Sequence, residues 1–240
     1  MPFRRIVPLL LALLSAAHAS AQTRQAAGPG AIPYRMVRNR VSGAVLPRIS
    51  LNTRQARPIN TRLDSLAASL RCDPDDVRRG RTEPYESEAR VTYAANDVFS
   101  VAIIASWYCG GAYPVNGADL SVTYDLRTGR EVPFTALWAN YARDRRQIIR
   151  TLFPSQASAA GRPRPETPNG TTQCDGLFTL QELTEMVDAY SLSPRGITAN
   201  IDFPHAVLPC GNRTTTPWAR VQHYAAPGGI LARMARPGGR

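Results

Sequence analysis

The residues able to do chemistry are few, and their spacing says as much as their types. Of three histidines, His18 lies in an apolar leader, while His205 and His223 stand far apart in the remaining chain. Neither falls in an HExxH pattern, and no GxSxG nucleophile turn occurs. The 29 basic residues are all Arg, so there is no Lys for a Schiff base, a Ser-Lys pair or a phosphate loop. Glu83, Glu86 and Glu88 cluster in a polar stretch ahead of a strand, where a solvated face is the expectation. Asp125 opens the turn Asp125-Leu126-Arg127-Thr128-Gly129, where its carboxylate is expected to bond the turn amides. Paired carboxylates for glycoside cleavage need only meet in space. A cell-wall glycan hydrolase or deacetylase using carboxylates or His205 therefore stands as the alternative to a non-enzymatic reading. Nothing in the sequence requires an enzyme, a cofactor or a metal.

The stretch CGGAYPVNGADLSVTYDLRTGREV, residues 109–132, is the other chemical candidate. Gly110 and Gly111 answer either a backbone with positive φ or a close approach, and they also leave backbone bare for a ligand. Tyr113, Pro114 and Asn116 extend this loop from the end of a central strand, placing an aromatic ring and an amide where a sugar or peptide would be received. Gly110, Gly111, Tyr113 and Asn116 are thus the expected ligand-binding residues.

The four cysteines are Cys72, Cys109, Cys174 and Cys210. An even number in an exported chain implies disulfides, with three possible connectivities. Cys72–Cys109 with Cys174–Cys210 is favoured because each bridge closes one sequence block, contributing about 3–4 kcal/mol apiece. Zinc is the rival, but no CxxC pair or close His spacing supports it.

Export is read from residues 1–21. Arg4 and Arg5 precede the apolar run Ile6–Leu14, and Ala19-Ser20-Ala21 supplies small residues for cleavage before Gln22. The apolar run is too short to span a bilayer, and no transmembrane segment is expected in the mature chain. A periplasmic or secreted location follows. The formal charge of +11 stays strongly positive after loss of Arg4 and Arg5, which implies attraction to anionic surfaces such as wall polymers. The arginines are scattered rather than interleaved with aromatics, so nucleic acid is not an expected partner.

The elements that must position these groups read as α+β: a mainly antiparallel sheet with helices packed on one face, fastened by disulfides. Residues 22–39 read as a flexible N-terminal segment, 40–228 as a single domain with a mobile insertion at 154–173, and 229–240 as a flexible tail. A strand is expected over 44–52. A helix over 59–70 carries Ile59, Leu63, Leu66 and Leu70 on one face, capped by Asn60 or Thr61. Two strands flank the turn at Ala95-Asn96-Asp97, and Val98–Ile104 reads as a central strand buried on both faces. ADLSVTYD reads as one strand, with Arg130–Phe134 returning. A helix is expected from Leu137, a short helix running into a strand over 179–190, a hairpin across Pro194-Arg195-Gly196, and a helix with Pro217 near its start.

In that order, the pieces resemble exported bacterial domains of unknown function found in lysozyme-sensing anti-sigma factors and beside some peptidoglycan deacetylases. The likeness rests on Gly110-Gly111-Ala112, on Asp125, Thr128 and Gly129, and on Leu137, and spans roughly residues 40–228. Tyr113 stands where that family commonly has His. The resemblance implies a non-enzymatic binding or sensing domain of the cell envelope, whose ligand is a wall glycan, another anionic polymer, or an envelope protein acting on the wall. It also implies lysozyme capture, which the basic charge opposes because many lysozymes are themselves basic.

Overall fold

The computed structural model describes residues 30–72, 86–107, 116–160, 176–201, 203, 210 and 213–234, without the side chains of residues 86, 107, 116–118 and 188. Among the described residues, ten strands form three antiparallel sheets. Strands β1 (Tyr34–Arg38) and β2 (Val45–Ile49) make a hairpin, followed by helix α1 (Ala56–Ser69). The main sheet runs β3 (Glu86–Ala95), β4 (Val98–Trp107), β6 (Val122–Asp125), β7 (Arg130–Glu131), with β5 (Asn116–Asp119) also on β4. The third sheet runs β10 (Thr215–Pro217), β9 (Gly196–Ile201), β8 (Val187–Ser193).

Strand β4 organises the molecule because its two faces meet different partners. Phe99, Val101, Ile103 and Ala105 point into a core shared with Ile59 and Leu63 of α1 and with Leu46 and Ile49 of β2. Val98 points the opposite way, into a second core built from Tyr190, Leu192 and Ile197 of the third sheet. That core is completed by Ile148, Ile149 and Leu152 of α2 (Tyr141–Leu152). Short helices α3 (Pro154–Ala159), α4 (Leu180–Glu185), α5 (Trp218–Val221) and α6 (Ile230–Met234) follow in chain order. Among the described residues no helix is long and apolar enough to cross a membrane.

Several expectations need correction. Asn60 does not cap α1: the helix begins earlier, and Asn60 is buried on its inner face, exchanging hydrogen bonds with both backbone groups of Ile49 (2.8 and 3.0 Å). The stretch 117–125 is two strands, because Asp119 accepts from both the N–H and the hydroxyl of Ser121 and turns the chain between them. The helix expected from Leu137 starts at Tyr141, capped by Asn140, whose Oδ1 accepts the Arg143 N–H at 3.2 Å. Phe134–Leu137 ahead of it is a 3-10 turn. Glu86 and Glu88 lie within β3 rather than in a loop. Within the expected mobile insertion, 154–159 is helical, and 161–175 lie outside the described residues. The expected loose tail begins with a helix whose Ile230 and Leu231 are buried. Cys72 and Cys210 are not free. Their expected partners, Cys109 and Cys174, lie outside the described residues.

Candidate ligand groove where two sheets meet

The third sheet meets the main sheet at the edge of β8. The Leu192 N–H donates to Ser100 Oγ at 2.9 Å, and Ser100 Oγ lies 2.8 Å from Thr123 Oγ1, so three buried polar groups satisfy one another. Tyr190 adds a bond from its hydroxyl to the Val132 carbonyl, and its burial pushes the phenol well above its ordinary pKa. This seam covers β4 at Val98 and Ser100 and then ends. Farther along the same face, Ala102 is half-buried and Ile104 is 48% exposed.

The uncovered stretch forms one wall of a groove enclosing about 300 Å³. That wall carries Glu88, Arg90 and Thr92 of β3 with Ala102 and Ile104 of β4. Register explains the set, since Arg90 faces Ala102 and Glu88 faces Ile104 across the strand pair. The opposing wall is a row of hydroxyls. Ser191, Thr198 and Thr215 are cross-strand neighbours on β8, β9 and β10, and Thr198 Oγ1 lies 2.8 Å from Thr215 Oγ1. Their strand-mates Tyr190, Leu192, Ile197 and Ala199 face the buried side, so alternation places the hydroxyls outward. Ser193 and Arg195, at the β8–β9 turn, complete this wall.

Charge in the groove is asymmetric. Glu88 Oε1 lies 3.5 Å from Arg90, while no carboxylate pairs with Arg195 among the described residues. Arg213, just before β10, reaches Asp119 at the end of β5 (3.1 Å) and ties the third sheet to the main one. Asp119 is itself almost fully buried. Among the described residues the groove therefore offers guanidinium and hydroxyl donors, with the Glu88 carboxylate beside Arg90, and no aromatic platform. It suits phosphate or carboxylate groups bonded by Arg and Thr rather than a sugar ring stacked on an aromatic face. Among the described residues no group of His, Cys, Asp and Glu is arranged to hold a metal. A second cavity, of about 160 Å³, lies beside α3 against Phe178, Leu183 and Phe203, without a charged side chain among the described residues of its lining.

The expected site residues fare unevenly. Gly110, Gly111 and Tyr113 lie outside the described residues, and Asn116 is placed only by its backbone, opposite Trp107 at the start of β5. The loop holding them joins β4 to β5. His205 and Glu83 are also outside the described residues. His223 lies in a 3-10 turn with its ring 3.8 Å from that of Tyr224. Asp125 is engaged as a turn residue: Oδ1 accepts the Arg127 N–H (3.0 Å) and Oδ2 lies 2.9 Å from the Arg233 guanidinium of α6. Sequence reading did not single out Arg90, Arg195, Thr198 or Thr215. The available signal was hydroxyl alternation along Ser191, Ser193 and Thr198 across a hairpin whose other face is apolar.

No family model and no curated protein matches the chain. Among solved structures it is similar to a DUF3298 family protein from Pseudomonas aeruginosa PAO1, with 13% identity over 86% of this chain and 97% of that one, at a TM-score of 0.43. It is likewise similar to a DUF3298 family member from Bacteroides fragilis NCTC 9343, with 15% identity over 78% of this chain and 75% of that one, at a TM-score of 0.40. At these values no residue role passes from either protein to this chain.

Proposed function

We propose that the chain is an exported, non-enzymatic binding domain of the bacterial cell envelope, and that its ligand is an anionic wall polymer held in the groove between the two sheets. The observation that carries this reading is the pairing of a hydroxyl row, Ser191–Thr198–Thr215, with Arg90 and Arg195 around one open groove. A polymer bearing phosphates or carboxylates at intervals would meet a guanidinium from each wall and hydroxyl donors between them. The basic charge of the chain would add long-range attraction. The Gly110–Asn116 loop, which follows β4, would lengthen the contact surface. For the hydrolase and deacetylase alternative, both carboxylate oxygens of Asp125 are engaged, while His205 lies outside the described residues.

Two disulfides belong to the same proposal, since export would oxidise the cysteines. Gln156 Nε2 donates to the Cys210 carbonyl (3.2 Å) and the Gly176 N–H to the Ala159 carbonyl (3.1 Å). The chain just after Cys174 and Cys210 itself thus both dock on α3, which favours Cys174–Cys210 and leaves Cys72–Cys109. Peptide mapping without reduction tests the pairing; a Cys109–Cys174 peptide would refute it.

The binding test is co-sedimentation of the oxidised protein with purified peptidoglycan sacculi carrying their attached anionic polymers, across a salt series. Arg90→Ala with Arg195→Ala is expected to reduce retention about tenfold or more at moderate salt. Tyr113→Ala with Asn116→Ala is expected to weaken it less. Retention unaffected by the double arginine change would remove the groove from the proposal, and retention lost equally for all proteins at slightly raised salt would reduce the interaction to nonspecific charge.

A further inference from the structure

The long edge of the main sheet is β3: its inner side is paired with β4 throughout, and among the described residues the outward backbone groups ahead of Thr92 have no partner. On β4, the Ile103 carbonyl accepts from Leu120 N–H, so the odd residues of that strand turn their backbone groups toward β5 and β6. The even residues face β3, where Ser106, Ile104, Ala102 and Ser100 stand opposite Glu86, Glu88, Arg90 and Tyr93. A bulge at Thr92 shifts the alternation. Ser87, Ala89, Val91 and Ala94 therefore direct their N–H and C=O groups away from the sheet. Ala94 fits this assignment, because its carbonyl accepts the Ile32 N–H at 2.9 Å. Among the described residues, Ser87, Ala89 and Val91 have no backbone partner on that side. Outside them lies a crevice of about 230 Å³ between β3 and Tyr34 and Met36 of β1.

Proteins usually protect such an edge with charged side chains, proline, a bulge or a cover, and charges protect it only when a second copy cannot pair them. This edge carries Glu88 and Arg90, opposite charges two residues apart on one face, exposed and flanking Ala89. We propose that β3 pairs with β3 of a second copy, antiparallel and two-fold symmetric about Ala89. In that register Ala89 meets Ala89 of the partner subunit as a hydrogen-bonded pair, and Ser87 meets Val91 of the partner subunit likewise. The outward backbone groups are the ones this ladder needs. Glu88 then stands opposite Arg90 of the partner subunit, and Arg90 opposite Glu88 of the partner subunit, on the same face. The contact is self-complementary, as an isologous interface must be. Residues 30–32, which cover β3 beyond Tyr93, limit the ladder to its first seven residues.

A two-fold axis perpendicular to the sheet keeps both grooves on one side of the continuous sheet. Glu88 and Arg90 line the groove in each copy, so the dimer places two polymer sites on either side of the shared seam. The pairing itself does not depend on that use and is read without any polymer.

The test is sedimentation equilibrium of the intact, oxidised protein over a wide concentration range. The wild type is expected to approach twice the mass of the chain. Glu88→Arg alone, or Arg90→Glu alone, sets like charges opposite each other twice and is expected to weaken association about tenfold or more. The exchange E88R/R90E restores the pairs and is expected to return association to near the wild-type level. Ala89→Pro, which removes an edge donor without touching the β4 ladder, is expected to leave monomers. Circular dichroism confirms that each variant is folded. A wild type that stays monomeric throughout, a dimer indifferent to single charge reversal, or a double exchange that fails to restore association would each overturn the proposal.

Discussion

Two edges of the main sheet, β7 and β3, differ sharply. At one, β7 is only two residues long, and α1 lies across it: Arg62 approaches Glu131 at 3.7 Å, and the turn glycine Gly129 sits against the backbone of Gln55. At the other, β3 is ten residues long, and among the described residues its outward backbone groups are hydrogen-bonded only near Ala94 and Ala95, with Tyr34 and Met36 of β1 lying beside the rest. A protein avoids unwanted strand pairing by shortening or covering its edges. Here one edge is shortened and covered while the other is long, open and self-complementary in charge. The contrast separates the part of the sheet built for folding from the part left available for contact.

The strongest way to break the comparison is to disturb the closed edge. Gly129 has φ +72°, and an added Cβ would lie 2.9 Å from the Gln55 carbonyl oxygen and 3.1 Å from its Cα. Both are backbone atoms, so relief requires moving α1 off the sheet. Gly129→Val is expected to cost about 2–4 kcal/mol in chemical denaturation. A loss below about 1 kcal/mol would mean that α1 is not seated on this edge as described.

A smaller effect is expected from Tyr124, beside that closed edge and paired with Glu131 on β7. Its hydroxyl is buried and has no hydrogen-bond partner among the described residues. Burial, then the nearby Glu131 charge, raise its pKa well above the ordinary phenol value, with Arg62 pulling the other way. The sign follows from which state ionises first. Below pH about 10 the phenol is neutral in both states, and above it the unfolded chain releases the proton before the folded one does. Stability should therefore fall as pH rises past about 10. Tyr190, also raised, acts in the same direction. Tyr124→Phe is expected to leave stability at neutral pH unchanged or up to about 1 kcal/mol higher, since it removes an unpaired buried group. It should also make the alkaline decline shallower. Thermal melts from pH 8 to 11 test both expectations; a marked loss at neutral pH would show that the hydroxyl has a partner.

The closed side of the molecule was the legible side. The strand Val98–Ile104, the α1 face bearing Ile59 and Leu63, the Asn96-Asp97 turn and the Asp125 turn all follow from local rules of periodicity and turn chemistry, although the expected burial of that strand on both faces fails at Ala102 and Ile104. Both Asn96 and Asp97 indeed have positive φ. The break between β5 and β6 was not legible, because it depends on one carboxylate, Asp119, turning back onto Ser121. Asn60 was misread for a related reason: a short polar side chain near a helix start suggests a cap, and only the approach of β2 reveals its bond to Ile49. The groove was invisible for a deeper reason. Its walls come from residues about one hundred positions apart, and Arg90 and Thr198 become neighbours only because the edge of β8 meets the face of β4 at Ser100.

The smallest expected effect sharpens the comparison most. Glu88 and Arg90 are 72% and 77% exposed, and an ion pair so placed contributes little to folding. Glu88→Gln with Arg90→Gln keeps size and polarity while removing both charges. At concentrations low enough for the wild type to be monomeric, the pair of changes is expected to alter unfolding stability by less than about 0.5 kcal/mol. At higher concentration, the wild type should gain stability with concentration, because association adds to folding by mass action, and the neutral variant should gain less. A concentration-independent loss of more than about 1 kcal/mol would make the charges part of the fold of a single copy. The open edge would then be a second closed one, covered by its own chain. A stability difference that grows only with protein concentration instead places the role of Glu88 and Arg90 between molecules, which is where their alternation on an unpaired strand puts them.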